Sequence, residues 1–253
     1  MAELRSPSRF RLRAAGEAGL VAAGMAAFAL LSALGAGRGW AAAAGLVLTV
    51  LALYLSMRTG QRPVSLFALT RPRRWAWALV GIGAVLGAGL AVLYRWAWMP
   101  SLLPRGIGAF VLVAMLIGSA EEVLYRGYVQ GRLGVALGVP RPALPGRAPP
   151  EARAAQAPWR TVYIASAHFA ALVGAILLAA GAHTAYKTAL FVRPPTGIEV
   201  DYAFLAIWTL VGGAAFGALR AWGGNVWPAL AAHAAFDLIA YGDAAQAPWW
   251  VWM

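Results

Sequence analysis

Apolar runs of about twenty residues recur along the chain, separated by short links that carry glycine, proline and arginine. Runs of that length predict membrane-spanning helices. Seven can be drawn, over residues 18–36, 40–57, 75–98, 107–127, 161–182, 201–219 and 226–242. The links at 37–39 and 220–225 contain Gly and Arg, as turns between antiparallel helices do. Small residues four apart, Gly83 with Gly87 and Gly213 with Gly217, predict close helix contacts. The expected fold is all-α: a polytopic transmembrane helical bundle of about seven spans, with no second folded domain outside the bilayer.

Composition agrees with that pattern. The chain is 61% hydrophobic and only 12% charged, too apolar for an ordinary soluble domain. A net charge of +12 would suggest nucleic acid in a soluble protein. Here the arginines sit in the links, so the charge reads as membrane topology and no nucleic-acid partner is expected. With the N-terminus in the cytoplasm, fifteen Arg and Lys residues fall on the cytoplasmic side, in 1–17, 58–74, 128–160 and 220–225. Five fall on the far side: Arg38, Arg95, Arg105, Lys187 and Arg193. The bias predicts a multi-pass protein with its N-terminus cytoplasmic and its C-terminus outside, and the alanine- and arginine-rich composition suggests a bacterial inner membrane. The absence of cysteine excludes disulfides, thiolate metal sites and a cysteine nucleophile.

The chain divides into a basic cytoplasmic N-terminus (1–17), membrane helices without motifs (18–106), a polar-residue-bearing membrane region (107–242) and an aromatic tail (243–253). The first apolar run is longer than a signal-peptide core, so a retained helix is expected. Residues 138–160 are rich in Pro, Ala and Arg and read as a disordered cytoplasmic loop. Trp249, Trp250 and Trp252 suit an interfacial anchor.

A few ionisable residues interrupt the apolar segments, where each costs several kcal/mol and is usually functional. Glu121 and Glu122 close the run from Phe110 to Ala120, and Arg126 follows. His168 lies in the fifth run; His233 and Asp237 lie in the seventh. From the drawn boundaries and a rise of 1.5 Å per residue, Glu121, His168 and His233 fall in one layer roughly 10 Å from the cytoplasmic face. Glu122 and Arg126 are i,i+4 and can pair, as can His233 and Asp237. Glu121 points about 100° away from Glu122 and is free to face a cavity. A carboxylate in a low-dielectric site suits a general base for water, a neighbouring histidine can orient that water, and a second His with an Asp can stabilise an oxyanion. Each piece also has a structural reading: a helix-bridging histidine, or a buried Glu122–Arg126 ion pair. His183 reads as an interfacial residue, and Lys187 and Arg193 as loop charges. Zinc-protease, serine-elbow and GxGD signatures are absent. Two histidines with Glu121 could bind Zn²⁺, but the spacing gives no support for it, so no cofactor is expected.

The residues singled out resemble the CPBP family (CAAX protease and bacteriocin-processing, or Abi) of intramembrane endopeptidases. That family shows EExxxR, FxxxH and HxxxN or HxxxD on separate helices. Glu121-Glu122-Val123-Leu124-Tyr125-Arg126 matches the first motif, and His233-Ala234-Ala235-Phe236-Asp237, led by GALRAWGGNVWPALAAH, matches the third. The middle motif is weaker, with Ile164 where Phe is expected before His168. The resemblance covers about residues 107–240. It implies Glu121 and His168 as the water-activating pair, His233 and Asp237 as the oxyanion pair, and Glu122 and Arg126 as supporting residues. It implies hydrolysis of a membrane-anchored or lipidated protein, with bacteriocin maturation, self-immunity or trimming of C-terminal anchors, as in the myxosortase branch, as candidate roles. Two readings of other classes stand beside it: a non-catalytic immunity or scaffold protein that binds a partner segment in the same cavity, and a proton-coupled transporter.

Overall fold

The computed structural model describes residues 7–35, 47–51, 53–54, 57–58, 63–72, 74–139, 158–194, 196–197 and 199–244. The expected span at 40–57, the loop at 138–160 and the tail at 243–253 lie largely outside the described residues. Among the described residues the chain is all-helical, without strands. The elements are α1 (Pro7–Ala33), α2 (Pro63–Leu66), α3 (Ala76–Trp98), α4 (Phe110–Glu122), a π-helical segment (Val123–Val129), α5 (Gln130–Leu137), α6 (Pro158–Leu190), α7 (Tyr202–Gly223) and α8 (Trp227–Ala240).

Among the described residues four helices are long and apolar enough to cross a membrane: Ser8–Ala33, Ala76–Trp98, Ser166–Leu190 and Tyr202–Gly223. The bundle's outward faces are apolar, with Val85, Trp96, Leu112, Leu116 and Phe169 exposed. Helix α3 carries exposed Trp75 and Trp77 at one end and exposed Trp96 and Trp98 at the other. The nineteen helical steps from Trp77 to Trp96 rise about 28 Å, close to the thickness of a bilayer core. Tryptophans at both ends suit the two membrane interfaces.

The expected count of seven spans is not reached among the described residues, and several boundaries differ from those drawn. The fourth span does not stop at 127. It passes from α4 through the π segment into α5 and ends only at Gly138, whose left-handed φ of 81° lets its N–H reach back to the α5 carbonyls. The fifth is also longer than drawn: α6 has 33 residues and continues to Leu190, where Pro194 follows closely. The seventh is shorter, since α8 has 14 residues, or about 21 Å. Its N-terminus starts inside the protein, where Val226 N–H donates to Ala68 O and Trp227 Nε1 donates to Thr70 O.

Helix α8 lies in a groove of glycines. A Cβ at Gly83 or Gly87 would strike the backbone carbonyl of Pro228 or Ala232. Gly213 and Gly217 let α7 meet Ala180 and Ile176 of α6 in the same way. Both small-residue pairs therefore sit at helix contacts, as their spacing predicts. Two buried arginines pin the ends. Arg132 pairs with Glu17 at 2.5 Å and ties α5 to α1. Arg95 donates to Ser101, to the carbonyls of Ile239 and Ala240, and to Asp243, tying α3 to the end of α8. Asp243 lies outside the helices, and this guanidinium holds its carboxyl down at about 2.

Candidate active site

The polar residues converge where α4, the π segment, α6 and α8 meet. Glu121 is buried; its Oε1 accepts from Lys187 Nζ at 2.6 Å and its Oε2 lies 3.2 Å from His183 Nε2. His183 Nδ1 lies 3.4 Å from Arg126 Nη2. A guanidinium only donates, so Nδ1 is the acceptor and Nε2 carries the proton that His183 gives to Glu121. Arg126 Nε also approaches Glu122 Oε2 at 3.3 Å. The other oxygen of Glu122 receives His233 Nδ1 at 2.9 Å. That bond turns His233 Nε2 toward Glu121 Oε2, at 4.0 Å, and Asp237 Oδ2, at 3.8 Å. Glu122 and Arg126 thus form a frame: the acid orients His233, the base orients His183, and Glu121 stands between the two rings.

The balance of charges constrains this cluster. Glu121, Glu122 and Asp237 bring three carboxylates against two cations, Arg126 and Lys187. Net charge at membrane depth is expensive, and one further proton makes the cluster neutral. His233 Nε2 and Asp237 Oδ2, facing each other, are the places that can hold it. Asp237 Oδ2 is buried without a hydrogen bond, and Asp237 lines the cavity.

Local backbone explains how so many polar groups face one point. The π segment begins directly after Glu122, and such wide turns recur at functional sites. Tyr125 through Val129 are all buried, because α1, α6, α7 and the 66–68 turn surround the segment. Gly127 admits that turn, since a Cβ there would strike Phe67 O. Gly118, one turn before Glu122, lets α4 approach His233 and Asp237; a side chain there would collide with both.

The cluster lines a cavity of about 510 Å³, within the usual size of ligand pockets. Its floor is at Arg126, Gly213 and Phe216, and it leads past Tyr94, Phe110, Trp208, Phe236 and Tyr241 to Trp98 and Phe204. These rings form one connected aromatic wall; Trp98 and Phe204 are 3.9 Å apart between centroids and Tyr94 touches Trp98, Trp208, Phe236 and Tyr241.

Of the residues expected from the sequence, Glu121, Glu122, Arg126, His233 and Asp237 come together. His168 does not. It precedes His183 by fifteen residues on the continuous α6, about 22 Å along the axis. A side chain at Gly174 would already touch Leu137, so His168 lies past the end of α5. The expected common layer with Glu121 and His233 fails because both bordering helices are longer than drawn. His183 occupies the place expected of His168, and Lys187, one turn on, is a member of the cluster and not a loop charge. The signals for both are present in the sequence: His183 and Lys187 are i,i+4, and no proline lies between Pro158 and Pro194. Arg193 is exposed beyond α6, as expected. Among the described residues no group of three His, Cys, Asp or Glu side chains is arranged to hold a metal ion.

Residues 102–239, which include every member of this cluster, match the family model described as "Type II CAAX prenyl endopeptidase Rce1-like". No curated protein and no solved structure matches the chain. The matched segment covers more than half of the sequence and contains the acids, both site histidines and Lys187, so the chain belongs to the Rce1-like family of type II CAAX prenyl endopeptidases.

Proposed function

We propose that the protein is an intramembrane endopeptidase in which Glu121 activates water to cut a peptide bond of a membrane-anchored or lipidated protein. The single observation that carries this reading is a buried carboxylate on an apolar cavity wall, held from two sides by His183 and Lys187 and faced from a third by His233. Lys187 pairs with the ionised carboxylate of Glu121, so a lone pair remains for a water proton. The hydroxide attacks the carbonyl carbon. His233, with its Nδ1–H held by Glu122, and Asp237 share the one further proton between Nε2 and Oδ2, and the group that carries it donates that proton in a hydrogen bond to the developing oxyanion. The proton taken by Glu121 then passes to the leaving amine as the C–N bond breaks. His183 acts by fixing the orientation of Glu121, and Glu122 and Arg126 by fixing the rings. The aromatic wall suits an apolar substrate segment or a lipid chain.

The test is cleavage of a panel of membrane-anchored peptides, with and without a lipid modification, by the purified protein in proteoliposomes. Glu121→Gln and a chelator provide the two controls. Cleavage that is lost in the variant and persists in chelator supports the glutamate mechanism. Loss in chelator with recovery on adding Zn²⁺ makes the same residues metal ligands and overturns it. A variant that keeps its full phenotype in cells supports a binder in place of an enzyme.

A further inference from the structure

Among the described residues the cavity reaches one end of the bundle. Its mouth is formed by the C-terminal ends of α3 and α6 (Trp98, Phe191), the N-terminal end of α7 (Phe204) and the preceding turn, where Glu199 and Asp201 are exposed. At its inner end Gln130 Nε2 donates to Gly217 O at 2.9 Å, joining α5 to α7 beneath Phe216. Gly217 also abuts Ile176, so three helices close that end.

The two ends of the bundle differ sharply in charge. Among the described residues the helix directions place eight arginines at the closed end, Arg9, Arg11, Arg13, Arg71, Arg74, Arg132, Arg160 and Arg220: Arg11 lies beside Gly138, and Thr70 beside Trp227. The mouth end has four, Arg95, Arg105, Lys187 and Arg193. Two of these are engaged, Arg95 on Asp243 and Lys187 on Glu121, which leaves Arg105 and Arg193. Of the eight, Arg13 and Arg132 are likewise engaged, both with Glu17, which leaves six. Once the buried pairs are set aside, the asymmetry grows. Arginine and lysine in short links mark the cytoplasmic side.

We infer that the cavity opens to the extracytoplasmic side, and that its substrates are outer juxtamembrane segments of exported, membrane-anchored polypeptides. The statement about substrate rests on the peptidase reading above; the statement about sidedness does not. A prenylated C-terminus in the cytoplasm would meet the closed, arginine-rich end. An apolar anchor whose outer end is pulled into the aromatic mouth would bring its flanking peptide bond to Glu121.

The chain has no cysteine, so single-cysteine variants give an unambiguous label. Val192→Cys and Ile107→Cys report the mouth end, where both side chains are exposed; Thr70→Cys reports the other. Each is expressed in bacterial cells and treated with a membrane-impermeant maleimide before and after permeabilisation. The expected result is labelling of Val192→Cys and Ile107→Cys in intact cells, with Thr70→Cys labelled only after permeabilisation. The reverse pattern overturns the inference and assigns the site to cytoplasmic substrates. The second arm uses one single-span peptide with its cleavable segment at either end of the span. Cleavage at the outer end alone is expected; cleavage at the cytoplasmic end alone overturns the substrate class. Outward labelling without cleavage at either end removes the peptidase reading and leaves the sidedness standing.

Discussion

Exchanging His183 and His168 separately for glutamine tests the geometry of the site most directly. His183 makes two polar contacts, to Glu121 at 3.2 Å and to Arg126 at 3.4 Å. A buried hydrogen bond to a charged group contributes about 1.5–3 kcal/mol. Arg126 retains Glu122 in the variant, so the loss that matters is the bond to Glu121. At 1.36 kcal/mol per decade of rate this converts to about 10- to 150-fold in kcat/KM. Glutamine can still donate from its amide, which places His183→Gln near the lower end and His183→Ala near the upper. His168 stands about 22 Å away on the same helix and touches none of the cluster, so His168→Gln is expected to stay within about twofold of the parent. The assay is kcat/KM on one peptide substrate in proteoliposomes, with thermal unfolding of each variant measured beside it. A loss for His168→Gln equal to or greater than that for His183→Gln, at unchanged unfolding temperature, would refute the assignment.

Three further outcomes follow from other contacts. Lys187→Met leaves the Glu121 carboxylate without its 2.6 Å partner and is expected to abolish cleavage, whereas Lys187→Arg restores part of it, as measured by initial rates. Gly87→Ala is expected to cost about 1–3 kcal/mol in stability, because its Cβ meets Ala232 O; Gly89→Ala, which meets nothing within 4 Å, is the silent control in detergent unfolding. Arg95 lowers the Asp243 carboxyl to about 2, against an ordinary value near 3.9, so the pair's stabilisation is complete above about pH 4 and lost as pH falls toward 2. The side chain is partly exposed, so the effect is under about 1 kcal/mol, and Asp243→Asn should flatten the acid limb of the unfolding curve in that window.

Much of this protein is legible in its sequence. Hydropathy alone marks an all-helical membrane chain, since an apolar run must satisfy its backbone internally. The acids of EExxxR and the His233/Asp237 pair stand out because an ionisable side chain within an apolar run is costly at any depth. Small-residue spacing marks where helices α3 with α8 and α6 with α7 can touch. Depth is different. Placing His168 with Glu121 depends on where two helices end, and an error of about ten residues in an end moves a side chain by about 15 Å. Arg132 looks like the start of a cytoplasmic link; burial against Glu17 makes it interior. Only tertiary packing shows that, because an arginine in a link and an arginine in a buried ion pair are the same letter. The same packing decided which histidine meets Glu121 and which end of the cavity is open. The sequence by itself determined which residues are too costly to be incidental; their distances, and therefore their chemistry, come from how far each helix runs before it stops.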